Sequence, residues 1–228
     1  GLDETLEGEE GDTGNQFASG DKYNLKFPEA QEYLMEKVFE AASKDNTPVV
    51  LLVMTGSAMD LRLPDSKAAA ILQVWYPGAC GGREIGKILT GEINPSGKLP
   101  VTLYRDSESL PDLKDYSMKG RTYRYIESTP LYPFGFGLSY SNVELKSAEA
   151  VSDCSFEAAS ADGITIRATA VNYSDRDAEE VVQIYVRNDD VNETLHPHLG
   201  AFERILVPAG SEASVEIHVP AKAFTTVD

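Results

Sequence analysis

Six of the first twelve residues, GLDETLEGEEGD, are carboxylates (Asp3, Glu4, Glu7, Glu9, Glu10 and Asp12), none is basic, and three are glycines. Mutual repulsion among that many acids disfavours a regular helix, and the glycines permit tight backbone geometry. Two readings stand. The stretch is a solvated acidic tail, or it is a loop that presents one carboxyl group to a substrate as proton donor and acceptor. Hydrolysis of a glycosidic bond needs such a group twice, once to protonate the leaving oxygen and once as nucleophile or base. No second carboxylate of the chain is clearly set up for the other role. Aromatic, Gly-rich segments at DYSMKGRTYRY (115–125) and PLYPFGFGLSY (130–140) suit sugar rings, whose C–H faces stack on apolar surfaces.

Other constellations carry less chemistry. The three histidines, His196, His198 and His218, read as surface residues, because a metal site needs convergent ligands and Pro197 constrains the first two. No histidine precedes residue 196, so no Ser-His or Cys-His nucleophile is suggested in the first part of the chain. Gly78-Ala79-Cys80-Gly81-Gly82 lacks the lysine and hydroxyl of a P-loop and the spacing of a dinucleotide fingerprint. Cys80 reads as a buried packing residue, with a thiolate at a helix N-terminus as the other reading. No cofactor or metal is expected.

The elements that must position these groups follow an order. Residues 13–27 are polar and irregular, and Pro28 opens a helix of about sixteen residues with Ala30, Leu34, Val38 or Phe39, and Ala42 along one face. VVLLVMT (49–55) and AAAILQVW (68–75) read as strands buried on both faces of a parallel sheet, with room for a short helix before the second. GGREIGKILTG (81–91) reads as a helix ending at Gly91, Asn94-Pro95-Ser96-Gly97 as a turn, and KLPVTLYR (98–105) as a third strand. Residues 106–140, with five of the eleven tyrosines in the two aromatic stretches, read as an ordered wrap over the first domain. From 141 the pattern switches to period two, with strands at 143–150, 164–171, 180–186, 202–207 and 213–219, which suggests a β-sandwich.

Composition sets bounds. The 228 residues are 42% hydrophobic and 9% aromatic, enough to bury a core. A net charge of −17 argues against nucleic acid or an anionic membrane surface as partner. Residues 1–140 hold 21 acidic and 14 basic residues, and 141–228 hold 16 and 6, a change in density that supports a boundary near 141. Cys80 and Cys154 make a disulfide framework improbable and leave the compartment, cytoplasmic or secreted, open. No stretch has the length of a membrane span. The opening Gly-Leu-Asp and the close at Thr226-Val227-Asp228 read as the inside of a longer polypeptide, so sequence is expected to be missing at both ends. The sequons at Asn172 and Asn192 are short enough to arise by chance.

The run VWYPGACGGREIGKILTGEINPSGKLPVTLYR (74–105), followed by DYSMKGRTYRY and PLYPFGFGLSY, resembles the second, α/β-sandwich domain of glycoside hydrolase family 3 β-glucosidases and β-xylosidases. VNYSDRDAEEVVQIYVRN (171–188) with HPHLGAFERILVPAGSEASVEI (196–217) resembles the fibronectin type III-like domain that often follows. The resemblance implies an open, mostly parallel α/β sandwich with helices on both faces over 1–140, its acid/base loop at 1–20. An incomplete immunoglobulin/fibronectin-like β-sandwich over 141–228 would follow. It implies that an aspartate nucleophile lies on a TIM-like barrel absent from this chain, and that the general acid/base comes from a stretch resembling Glu-x-Glu-Gly-x-Asp-Arg. Glu7-Gly8-Glu9-Glu10-Gly11-Asp12 occupies that place, which aligns the catalytic glutamate with Glu9, or with Glu10 or Glu7 if the loop is shifted. Thr13 stands where arginine often follows and Glu10 replaces a usual glycine.

The expectation is therefore the accessory part of a retaining β-glycosidase acting on terminal β-D-glucosides or β-D-xylosides. The alternative is a non-catalytic carbohydrate-binding or interaction module that keeps the fold.

Overall fold

The computed structural model describes residues 24–108, 110–112, 114–187 and 195–225. They form two compact units with interleaved segments. The first draws on residues up to 86, on 101–117 and on 128–133; the second on 87–100, 118–127 and 134 onward. The fold mixes helices and sheets, with no closed barrel among the described residues. No described helix is long and apolar enough to cross a membrane.

In the first unit, α1 spans Glu29–Lys44. Pro28 supplies the carbonyl for the amides of Gln31 and Glu32, at 2.8 and 3.0 Å, and its extended ψ keeps the preceding chain out of the helix. Glu29 and Glu32 in the first turn and Lys44 in the last complement the helix dipole. The inward face differs from the expected one. Phe39 is buried and Met35 and Ala42 are half-buried, whereas Leu34 and Val38 are 61% and 42% exposed. Packing the phenyl ring rather than the valine turns the helix by one residue.

Strand β1 (Val50–Val53) pairs with β2 (Ala70–Gln73) in parallel, Val50 opposite Ala70 and Val53 opposite Gln73. A short helix, α2 (Arg62–Lys67), stands between them. The strands are less buried than their apolar content predicts: Val53 is enclosed, but Leu51 and Leu52 are only partly covered and Val50 is exposed. The expected third strand is absent from this sheet. Within 98–105 the backbone instead makes an isolated antiparallel bridge, Leu103 to Tyr132, and Leu99 exchanges hydrogen bonds with residues 135 and 136. The signal read as a sheet strand thus belongs to a pairing with the aromatic segment. Met59, Leu61, Val53, Leu103 and Pro64 are the most enclosed apolar side chains of this unit. The helix α3 (Gly81–Leu89) follows β2, and Gly91 takes the left-handed conformation (φ 78°) expected at its end.

The second unit contains two antiparallel sheets. One has the order β3 (Val143–Ala150), β4 (Ile164–Asn172), β7 (Glu212–Val219); the other pairs β5 (Ala178–Val186) with β6 (His198–Val207). Ala168 and Ile217 from the first sheet and Val182 from the second form a core with Ile184, Ala201, Ile205 and Val215. The β5–β6 register slips between Ile184 and Tyr185, skipping Gly200. A Cβ there would stand 2.9 Å from Val186 Cγ2 and 3.0 Å from Val219 Cγ1, so the bulge needs glycine. Three helical segments went unread: α4 (Thr122–Tyr125) in the aromatic stretch, α5 (Phe156–Asp162) and a 3-10 turn at Ala221–Phe224. Helix α5 carries a legible signal, since Ser155 Oγ accepts from the Ala158 amide and Gly163 (φ 79°) ends it.

The aromatic segment divides between the two units. Residues 118–127 and 134–140 cluster with the two antiparallel sheets. There, Tyr123 stacks on Phe134 at 4.1 Å and 12°, Phe134 meets Tyr185 edge-on, and the Tyr123 hydroxyl accepts from the Leu199 amide. Asn94 fixes the chain beside it. Its amide donates to Ser141 Oγ and the Asp177 carbonyl, and its Oδ1 accepts from Ser139 Oγ and the Tyr140 amide.

Candidate active site

In open sheets with parallel strands, ligands bind outside the carboxyl ends of the strands. Here those ends are the loops 54–61 after β1 and 74–80 after β2. Thr55 is fully buried and donates its hydroxyl to the Ser57 carbonyl at 2.9 Å, which turns the first loop over. Gln73 closes β2, and its amide donates to Thr55 Oγ1 at 3.2 Å and to the Thr55 carbonyl at 3.3 Å. The two loops are thereby tied side chain to backbone. The Val74 amide adds a bond to the Val53 carbonyl at 3.0 Å.

Beyond this tie the second loop is sharply folded. Trp75 adopts φ 52° and Gly78 φ 68°, and a Cβ on Gly81 would stand 2.5 Å from the Pro77 ring. Trp75 is half-buried; Tyr76, Pro77 and Cys80 are exposed. Cys80 is therefore not the buried packing residue expected: the sharp turn before α3 holds it outward.

The first loop carries charge. Arg62 lies across Asp60, its Nε 2.9 Å from Oδ1 and one terminal nitrogen 2.5 Å from Oδ2, with Asp106 Oδ2 at 3.7 Å. The hydrogen bond and charge of Asp60 raise the guanidinium pKa above its ordinary value, with Asp106 and Glu108 adding to it. Nearby in sequence, Asp65 accepts from the Tyr132 hydroxyl at 2.5 Å.

The sequence-predicted acid/base residue Glu9, and its alternatives Glu10 and Glu7, lie outside the described residues, as does the whole stretch 1–20. The histidines are engaged within the second unit: His196 Nε2 with the Ile126 carbonyl, His198 Nε2 with the Ala223 carbonyl, and His218 Nδ1 near Thr165 Oγ1. Among the described residues no three His, Cys, Asp or Glu side chains are grouped to hold a metal ion. Thr55, Gln73 and Trp75 were not singled out from the sequence. A signal existed: a glutamine inside the apolar run AAAILQVW and a threonine closing VVLLVMT are polar groups where a buried strand wants none.

Comparison with known proteins gives a consistent pattern. Residues 1–140 match the profile of the Glycosyl hydrolase family 3 C-terminal domain. The xylan 1,4-beta-xylosidase of Xylanibacter ruminicola is 36% identical over 219 residues, covering 95% of this chain and 24% of that protein. The periplasmic beta-glucosidase of Salmonella typhimurium is 30% identical over 229 residues, covering 92% and 28%. Among solved structures, beta-glucosidase 3B from Thermotoga neapolitana superposes with a TM-score of 0.75 at 26% identity, over 90% of this chain and 30% of that one. The beta-D-glucoside glucohydrolase from Trichoderma reesei has a TM-score of 0.80 at 19% identity over 92% of this chain and 32% of that one, a likeness of fold alone. The chain spans about a quarter of the length of the curated relatives it matches.

Proposed function

The chain belongs to glycoside hydrolase family 3, and we propose that it is the part of a retaining β-glycosidase that supplies the general acid/base while the nucleophile lies on a barrel outside it. In this reading residues 1–140 are an α/β-sandwich domain and 141–228 a fibronectin type III-like domain. The observation that carries it is the identity to a xylan 1,4-beta-xylosidase along nearly the whole chain. Terminal β-D-xylosides and β-D-glucosides are the substrates.

The mechanism follows from the chemistry. An aspartate on the barrel attacks the anomeric carbon while Glu9 gives its proton to the leaving oxygen. Glu9 then takes a proton from water, which releases the sugar, with the two carboxyl groups about 5–5.5 Å apart. Six carboxylates within twelve residues hinder ionisation of any one of them, which favours a protonated acid near neutral pH.

Glu9→Gln in the full-length protein tests the assignment. Hydrolysis of a substrate with a poor leaving group is expected to collapse, and azide is expected to restore turnover of one with a good leaving group. Near-wild-type hydrolysis by that variant would remove Glu9 from the role.

A further inference from the structure

We propose that Trp75 is a specificity-determining platform on which the leaving-group sugar of the substrate stacks, an inference that rests on the glycosidase reading above. Three non-glycine residues take positive φ among those described: Asn46, Trp75 and Thr122. Asparagine tolerates this region; tryptophan does so at a cost in backbone strain. Such strain persists only where the surroundings over-determine it, and those places are commonly functional.

Trp75 is held in this way from both sides. On one side the Gln73 amide and the Val74 N–H bind the chain to β1 and its loop. On the other, the Pro77 ring fills the space beside Gly81. Trp75 is only half-buried, and the adjoining Tyr76 is 57% exposed. A large rigid indole, the only one in the chain, is thus fixed in a strained geometry with part of its surface open. It stands at the carboxyl end of a parallel strand, where ligands bind in such sheets. Indole faces pack against the apolar C–H face of a pyranose ring, and a preset ring loses little entropy in doing so. The leaving-group side follows from the division of labour proposed above: this chain supplies the acid that protonates the leaving oxygen, and the nucleophile on the glycone side belongs to the barrel.

The test uses the full-length protein with Trp75→Gly, which keeps the left-handed backbone, and Trp75→Tyr, which keeps a ring. Two substrates share the glycone and differ in the leaving group: a β-linked disaccharide and the corresponding β-glycosyl fluoride. For Trp75→Gly, kcat/KM on the disaccharide is expected to fall about tenfold, mainly through KM, and that on the fluoride to change by less than about twofold. Trp75→Tyr is expected to recover most of the loss. Equal losses on both substrates would assign Trp75 to the fold or to a domain contact and overturn the proposal, as would no loss on either. A wild-type protein without β-glycosidase activity would overturn the parent reading and this inference together, whereas an active wild type with an unchanged substrate ratio in the variant overturns this inference alone.

Discussion

The Tyr132 hydroxyl donates to Asp65 Oδ1 at 2.5 Å, joining the aromatic segment to the short helix α2 across 67 positions of sequence. Burial first, then the hydrogen bond and charge of Asp65, push the Tyr132 pKa up to about 12. The folded pKa exceeds that of an unfolded tyrosine near 10, so the folded state holds this proton more tightly. The associated stability is fully present below pH 10 and is lost as pH rises toward 12. Tyr132→Phe should remove a component titrating near pH 12 from the ultraviolet difference spectrum and lower stability at neutral pH by about 1 kcal/mol. An unchanged titration would place that component on another tyrosine.

Thr55→Val keeps the volume of a fully buried side chain but removes the hydroxyl that Gln73 and the Ser57 carbonyl share. A loss of about 1–3 kcal/mol is expected, because Gln73 then keeps only its longer bond to the Thr55 carbonyl. Thr55→Ser should retain most of the stability. Urea midpoints of the three proteins, compared at constant slope, decide the matter.

Two glycines of the second unit should respond oppositely to alanine. A Cβ at Gly137 would fall 2.0 Å from the Gly97 carbonyl oxygen, a clash that only backbone movement relieves. A Cβ at Gly97 meets nothing within 4 Å. Thermal melting should therefore show Gly137→Ala destabilised by more than about 2 kcal/mol and Gly97→Ala within about 0.5 kcal/mol of wild type. A reversed order would mean that the turn pairs differently in solution.

Asn94 satisfies both ends of its amide with four partners, so Asn94→Asp replaces a donor to the Asp177 carbonyl with a repelling oxygen. Loss of about 2 kcal/mol or more is expected at pH 7, with partial recovery at low pH as the introduced carboxyl becomes a donor. A variant whose stability deficit is independent of pH would speak against this mechanism.

Asn172 is fully buried, its amide donating to the Arg176 and Val207 carbonyls at 2.8 and 3.0 Å and its Oδ1 accepting from the Ser174 amide. The folded protein should remain unglycosylated at the Asn172 sequon even in a glycosylating host. Peptide mapping that found a glycan there would require the modification to precede folding.

Particular residues show how far the sequence reached. Pro28, Gly91, Ser155 and the period-two runs are local signals, and the elements they mark stand where expected, α5 excepted, whose cap went unread. KLPVTLYR carries the composition of a strand but pairs with the aromatic segment instead of β2. Composition records a preference for extended backbone; it does not name the partner. Phe39 and Val38 likewise offered two inward faces one residue apart, and only packing chose between them.

The sequence by itself determined the family, through the runs at 74–105, 115–125 and 130–140, together with the period of the first helix and of the antiparallel strands. These are properties of adjacent residues, legible without partners. Tertiary structure decided what depends on residues distant in the chain: the Gln73–Thr55 tie between two strand ends, the Tyr132–Asp65 bond, and the strained φ of Trp75. A polar side chain in an apolar run acquires its meaning only from the group it meets, and a backbone strain only from the contacts that hold it.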